Sequence, residues 1–253
     1  MTETGVVAIV TSCIAGGALI VGAYIKRPPK SVPAPPIPPG PIEQNFGFTA
    51  QEAYSRVEVD REGGTKAIRG WKGIRLRQGT VMAQIPGRLW VDTPGGTIKS
   101  DPRLVTHTDL GKNISLVIRK KTATECDYAV EITGYLTGDD PSLDYEIEVN
   151  YSKVVLMTKN EVQASYASAS FKFDYHSFDV EYPIESLDLE VIFPQGFAVT
   201  AYGGVFQGRT ENLDAQEFQR VQKGFTRNNR GGRFSIKKPA IGFRYFIYWS
   251  FSD

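Results

Sequence analysis

Apolar and polar residues alternate strictly in several stretches of the chain after residue 42. The clearest stretches run from Asp144 to Tyr151 and from Leu187 to Phe193, and shorter ones occupy residues 114–118 and 171–175. A period of two places every second side chain on the same face of a strand, with one face buried and the other wet. About a dozen short strands of this kind predict an all-β or β-rich α+β fold, built as an antiparallel sandwich or barrel.

Turn and helix signals divide this pattern. Three segments favour tight reversals: Thr93 to Gly96, Gly138 to Pro141, and Lys159-Asn160. Two short helices are also predicted. The first would begin at the capping box Thr49 to Glu52 and run toward Arg56. The second would span residues 212–222 as an amphipathic helix that stops at Gly224.

An uncharged apolar run lies near the N-terminus, from Gly5 to Ile25. As a helix it would be ~31 Å long, which matches the hydrocarbon core of a bilayer. The residues before it, 1–4, contain an acid and no base, whereas a cleaved signal peptide begins with basic residues. The run therefore predicts an uncleaved single-pass membrane anchor. Small residues at every fourth position, as in Ala8, Ser12 and Gly16, would also suit self-association of that helix.

The residues that follow the anchor indicate its orientation and the domain layout. Lys26, Arg27 and Lys30 place positive charge directly after the helix, which favours a cytoplasmic location for the bulk of the chain, with the inverted topology as the alternative. Within the linker 26–41, eight of the fourteen residues from Pro28 to Pro41 are proline. Such a stretch predicts a polyproline II stalk, with a docking site for an SH3-like or WW-like domain as the alternative. Residues 42–253 would form the β-rich domain, with a second boundary near 137–143 as the other option.

The net charge of +1 hides a strong segregation of charge along the chain. Residues 66–121 carry twelve basic and three acidic residues, and residues 127–190 carry three basic and fourteen acidic residues. Oppositely charged strands can neutralise each other when they lie side by side. The alternative is a basic surface that faces an anionic partner.

The segment Lys223 to Arg233 is the sharpest candidate for a binding site. It contains four bases, three glycines and no acid. Guanidinium groups and exposed backbone amides are the groups that bind phosphates and carboxylates. The candidate anion-binding residues are therefore Lys223, Arg227, Arg230 and Arg233. The alternative is a solvated hairpin between the second helix and a strand at Phe234.

Motifs for catalysis or for cofactor binding are absent from the sequence. It has no phosphate-binding P-loop, no dinucleotide fingerprint, no zinc-protease helix and no nucleophile elbow. With two histidines, His107 and His176, a histidine-rich metal site cannot form. Asp174 and His176 share a strand face and are predicted to be structural. Cys126 lies between two acids, which disfavour its thiolate. The sequence thus predicts no cofactor, no metal and no enzymatic activity.

The C-terminal run from Ile241 to Phe251 is apolar on both faces and predicts a central strand. Pro239-Ala240-Ile241-Gly242-Phe243-Arg244-Tyr245, followed by Trp249, resembles the closing strand of β-rich domains in some prokaryotic signalling and conflict proteins. That resemblance covers about a dozen residues. It implies a sensor or effector-associated module for signalling or defence.

The sequence therefore predicts a membrane-anchored binding module for an anionic ligand or a protein partner. The alternatives are an assembly protein of the cell envelope and an unrecognised hydrolase.

Overall fold

Fourteen strands and two helices make up the described part of the chain in a computed structural model. The structure describes residues 48–76, 82–91, 93, 95–106, 114–133, 143–165, 173–197, 199–207 and 214–251. The first eight strands are β1 (Phe48–Val59), β2 (Thr65–Leu76), β3 (Met82–Trp90), β4 (Thr97–Ile98), β5 (Arg103–Thr106), β6 (Ile114–Lys121), β7 (Glu125–Thr133) and β8 (Leu143–Ser152). Helix α1 (Lys159–Ser165), β9 (Asp174–Asp179), β10 (Ile184–Ile192), β11 (Val199–Gln207), helix α2 (Ala215–Gly224), β12 (Phe225–Asn228), β13 (Gly231–Lys237) and β14 (Phe243–Phe251) follow.

The strands form one large sheet and two small ones. The large sheet has the order β12-β13-β10-β1-β2-β8-β4, and β5 also pairs with β8. The small sheets have the orders β11-β14-β9 and β3-β7-β6. One hydrophobic core contains residues from all three sheets, so the sheets stack as in a sandwich. The predicted β-rich class is therefore confirmed. One departure is that β1 and β10 pair in parallel, whereas the sequence predicted antiparallel strands.

One of the two predicted helices is confirmed and the other is wrong. Helix α2 begins after Asp214, whose carboxylate accepts a hydrogen bond from the Glu217 amide at 2.7 Å. The stretch from Thr49 to Arg56, in contrast, belongs to strand β1. Pairing with β2 on one side and β10 on the other overrides its local helix signal, because both neighbours satisfy the backbone of β1.

The predicted turns have different outcomes. At Thr93 to Gly96 the Gly96 amide donates to the Thr93 carbonyl at 2.9 Å, as expected for a tight turn. The reversal predicted at Lys159-Asn160 is wrong, because these residues begin α1. The turn at Gly138 to Pro141 lies outside the described residues. The C-terminal run is confirmed as a central strand, since β14 lies between β11 and β9.

Ion pairs between strands connect the basic and acidic parts of the chain. Lys66 Nζ lies 3.5 Å from Glu148 Oε1, and Arg103 bonds to the other oxygen of the same carboxylate. Arg88 Nε lies 3.4 Å from Asp127 Oδ1. The two charged blocks therefore neutralise each other across neighbouring strands at these points, which is the first of the two alternatives drawn from the sequence.

The predicted membrane anchor is not part of the described structure. Among the described residues, no helix is both long and apolar enough to cross a bilayer. Residues 5–25, the linker 26–41 and the flanking bases Lys26, Arg27 and Lys30 all lie outside the described ranges.

Candidate functional site

Two adjoining cavities meet at Arg69 on β2, Trp90 at the end of β3 and Ser177 on β9. The larger cavity has a volume of about 360 Å³ and the smaller one about 110 Å³. We call the two together the Arg69 cleft. All three tryptophans of the chain, Trp71, Trp90 and Trp249, line it.

Arg69 is a cation on the apolar face of its strand. Alternation along β2 places it on the same face as Ala67 and Trp71, which are 5% and 4% exposed. The Arg69 side chain is half-buried, and its Nη2 donates to the Ser177 carbonyl at 3.3 Å. In the part of the chain that the structure describes, no carboxylate lies within ion-pair distance of Arg69. The cleft therefore contains a positive charge that no described acid neutralises.

The carboxylates on the larger cavity do not compensate Arg69. Asp179 is held by both Nε and Nη2 of Arg244, at 2.6 and 3.0 Å. Asp127 belongs to the ion pair with Arg88. The third acid, Glu181, lies on the exposed rim. A bidentate guanidinium–carboxylate pair is geometrically specific, so Asp179 is committed to Arg244 rather than to Arg69.

Two buried polar atoms at the cleft have no hydrogen-bond partner among the described residues: the hydroxyl of Tyr128 and the indole Nε1 of Trp249. Tyr128 and Trp249 are each 2% exposed. Tyr128 lines the larger cavity, where its ring covers Gly87, and Trp249 lines the smaller cavity. Native proteins satisfy nearly all buried polar groups, so these two atoms are exceptions, and neither atom is exposed to the cavity that its residue lines.

His176 and four tyrosines near Arg69 are uncharged near neutral pH. Burial, with Arg69 as a second cause, lowers the pKa of His176 to about 3. Burial also raises the pKa of the Tyr128, Tyr145, Tyr151 and Tyr182 phenols above the usual range. The imidazole and the four phenols therefore add no charge that would compensate Arg69.

Aromatic side chains form much of the wall of the larger cavity. Trp71 stacks on Tyr145 with ring centroids 5.0 Å apart, and its indole nitrogen donates to the Tyr182 hydroxyl. Trp90 is 36% exposed, and the guanidinium of Arg244 lies 5.8 Å from its ring centroid. Trp71 is thus fixed in the wall, whereas Trp90 stands at the opening.

Ser55 and His176 have the spacing of a nucleophile and its base, since Ser55 Oγ lies 2.9 Å from His176 Nε2. Ser55 is 1% exposed, however, and it lines neither of the two cavities of the cleft. A substrate in the cleft could not reach its hydroxyl. The bond instead holds the imidazole of His176 against β1, which supports a structural role.

The other candidates for chemistry are also engaged in the fold. The Asp174 carboxylate accepts backbone amides from Leu156 at 3.0 Å and from Tyr175 at 2.9 Å. Cys126 is fully buried, and burial raises the pKa of its thiol, with Asp127 as a further cause. Among the described residues, no group of three or more His, Cys, Asp or Glu side chains is arranged to hold a metal ion.

The predicted basic segment forms the hairpin of β12 and β13, which corresponds to the second alternative for it. Arg227 pairs opposite Gly232, so alternation places Arg227 and Arg233 on opposite faces. Arg227 donates to the Ala201 carbonyl at 3.0 Å and covers the Tyr202 ring, while Arg233 lies 3.2 Å from Asp188.

The remaining two residues of that prediction also lie apart. Arg230, in the turn of the hairpin, donates to the Phe193 carbonyl at 3.1 Å. Lys223 is exposed in the last turn of α2. The structure thus does not bring the guanidinium groups of Arg227 and Arg233 to one face, and anion binding by this hairpin stays a prediction.

Comparisons with known proteins identify no family. No protein-family model matches the sequence, and no curated protein matches it. Among solved structures, the chain is similar to yeast LTA4 hydrolase in complex with bestatin, with 8% identity and a TM-score of 0.38 over 90% of this chain and 32% of that one. It is also similar to an M1 zinc metallopeptidase from Deinococcus radiodurans, with 11% identity and a TM-score of 0.31 over 79% of this chain and 42% of that one. The chain thus spans less than half of either structure, and likenesses this weak carry no argument about function.

Proposed function

We propose that this chain is a β-rich binding module whose Arg69 cleft takes a small anionic ligand. The observation that carries the proposal is the lack of a carboxylate partner for Arg69 among the described residues. The space of about 360 Å³ in the larger cavity beside Arg69 supports it. An anionic group would neutralise the guanidinium, and its oxygens would accept charge-assisted hydrogen bonds from it.

The proposal includes a location for the module. Residues 5–25 would anchor it as a single helix, and Lys26, Arg27 and Lys30 would lie on the cytoplasmic side. The proline-rich linker would hold the β-rich domain away from the bilayer. In this arrangement the chain would be a sensor or effector-associated signalling domain without catalytic activity. An assembly protein of the cell envelope is the alternative.

Calorimetric titration of the full-length chain in a neutral detergent tests the anion site. The probes are sodium phosphate and sodium benzoate, at constant ionic strength set with chloride. We expect at least one of them to bind the natural chain. Arg69→Met should weaken that binding roughly tenfold to hundredfold, because charge-assisted hydrogen bonds are lost.

The matched control is Arg61→Met, which removes the same charge from the exposed turn between β1 and β2. This variant should bind like the natural chain. The proposal is overturned if neither anion binds to the natural chain, or if Arg69→Met binds as tightly as Arg61→Met does.

A further inference from the structure

The Arg69 cleft has more room than a simple anion fills. The larger cavity of about 360 Å³ extends from Arg69 between β2, β3, β7 and β9. A water molecule takes up about 30 Å³ in the liquid. This space can therefore hold the rest of a ligand in addition to its anionic group. The side chains that form the walls of the cavity should therefore indicate what chemical group the rest of the ligand contains.

Those walls combine aromatic rings with charged side chains. Five of the fourteen residues that line the larger cavity are aromatic: Trp71, Trp90, Tyr128, Phe178 and Tyr182. Four of them have rings fixed by the core, because Trp71, Tyr128, Phe178 and Tyr182 are all 5% exposed or less. The fixed rings give the wall a rigid surface, and Trp90 is the ring that is exposed to a flat partner.

Trp90 and Tyr128 are the rings in this wall without an aromatic neighbour among the described residues, and Trp90 is the exposed one of the two. Trp71 has rings close to it on Tyr145 and Phe178, at 5.0 and 6.2 Å between centroids. In the described structure no other ring lies against Trp90, and its close charged neighbour is Arg244 at 5.8 Å. With 36% of its surface exposed, Trp90 lines both cavities beside Arg69. It is therefore free to stack with a ligand whose anionic group is held by Arg69.

We infer that the ligand is a planar aromatic ring that carries a carboxylate or a phosphate, with the ring against Trp90 and the anionic group at Arg69. This inference rests on the proposed function, because it assigns the rest of the ligand to the same cleft. The two anionic groups share the chemistry that a guanidinium recognises. Aromatic carboxylic acids and nucleotides are the two sources of such ligands, and separate probes distinguish them.

The test compares matched probes by calorimetry on the full-length chain in neutral detergent. Benzoate is paired with cyclohexanecarboxylate, and adenosine 5′-monophosphate is paired with ribose 5-phosphate. Each pair keeps the anionic group and removes the aromatic ring. We expect the aromatic member of one pair to bind roughly threefold to tenfold more tightly than its partner, which is the range of an aromatic stacking contact. The pair that shows the difference identifies the source.

Two variants locate the ring. Trp90→Leu should abolish the preference for the aromatic probe and leave the non-aromatic probe unchanged, because it keeps apolar bulk without a π face. Trp90→Phe should retain most of the preference. Fluorescence gives an independent readout, since every tryptophan of the chain lines the cleft. The aromatic probe should change the emission of the natural chain.

The outcomes separate this inference from the proposed function. If both members of each pair bind equally and both depend on Arg69, the cleft is an anion site and the aromatic inference is wrong. If the preference persists in Trp90→Leu, the ring lies elsewhere and the inference is also wrong. If no probe binds, the proposed function fails together with the inference.

Discussion

His176 shows how one buried side chain makes stability depend on pH. In the unfolded chain a histidine binds its proton below about pH 6.5. In the folded chain His176 does so only near pH 3, since burial and Arg69 both lower its pKa. Between these values the unfolded state holds one more proton than the folded state. The contribution of His176 to stability is therefore present above pH 6.5 and is lost as the pH falls.

We expect the free energy of unfolding to fall by up to about 1.4 kcal/mol for each pH unit from pH 6.5 toward pH 4.5 because of His176. His176→Asn should remove this part of the slope. Urea denaturation at several pH values, followed by circular dichroism, measures both proteins. Equal slopes for the natural chain and the variant would show that His176 titrates normally in the folded state.

At the same scale, the sequence contains a signal for Arg69 that is independent of catalytic and phosphate-binding motifs. Arg69 has the phase of Ala67 and Trp71 in an alternating strand, so a charged residue stands where the pattern requires an apolar one. Burying a charge costs free energy, so a charged residue at such a position indicates a functional or structural role for that charge. The lack of a carboxylate partner could not be predicted, because it depends on which strands from distant parts of the chain cover β2.

At the scale of elements, three cross-strand pairs place an aromatic ring over a glycine. The pairs are Tyr54 with Gly70, Tyr128 with Gly87, and Phe246 with Gly204. In each pair a Cβ atom on the glycine would overlap the ring. The ring packs on the glycine backbone, where no side chain is present. Because the ring fits only opposite a glycine, the pair helps to fix the register of its two strands.

Gly70→Ala is expected to destabilise the chain by about 1–3 kcal/mol, because the added methyl group overpacks against Tyr54. In a Tyr54→Val background the same change should cost nothing or stabilise the strand by up to about 1 kcal/mol, since alanine is better than glycine in a strand interior. A double-mutant cycle by urea denaturation measures the coupling. Additive effects would mean that the ring does not occupy the space over Gly70.

Local motifs explain why some elements were predictable and others were not. The sequences from Thr49 to Glu52 and from Thr158 to Glu161 both have the form of a capping box. At Thr158 the motif works, since its hydroxyl accepts the Glu161 amide at 3.2 Å and the Glu161 carboxylate accepts the Thr158 amide at 2.9 Å. At Thr49 the same motif does not begin a helix, because the alternating apolar residues of β1 favour a strand there. Alternation was thus the stronger signal at β1, and the alternating stretches identified in the sequence include β6, β8 and β10 but not β2, β3, β7 or β11.

At the scale of the whole molecule, the order of the sheets could not be derived from the sequence. Alternation predicts that a strand has one buried face, but it does not say which strand lies beside it. The parallel pairing of β1 with β10 joins Ala50 to Ile184, and the intervening sequence contains no signal for it. The cleft depends on how the three sheets are placed against each other, because Arg69, Trp90 and Ser177 come from three separate strands.

A chain without residues 1–41 should fold cooperatively and keep the anion affinity of the full-length chain, because the core belongs to later residues. It should appear in the supernatant after ultracentrifugation of lysed cells, whereas the full-length chain should sediment with membranes. Immunoblotting of both fractions measures the distribution. A full-length chain in the supernatant would contradict the anchor, and an aggregated shorter chain would mean that the domain begins before residue 42.

The parallel pair of β1 and β10 also determines when the large sheet can be completed during synthesis. β1 is the earliest described strand, yet one of its two neighbours is made only when residues 184–192 have been translated. Contacts so distant in sequence slow folding, because a long loop must close before they form. Until then, one edge of β1 is open to strands of other chains. Its exposed positions include charged residues such as Arg56 and Glu58, and charges on an open edge discourage such pairing. We therefore expect these surface charges to disfavour pairing of β1 with other chains during the period before its own partner strand exists.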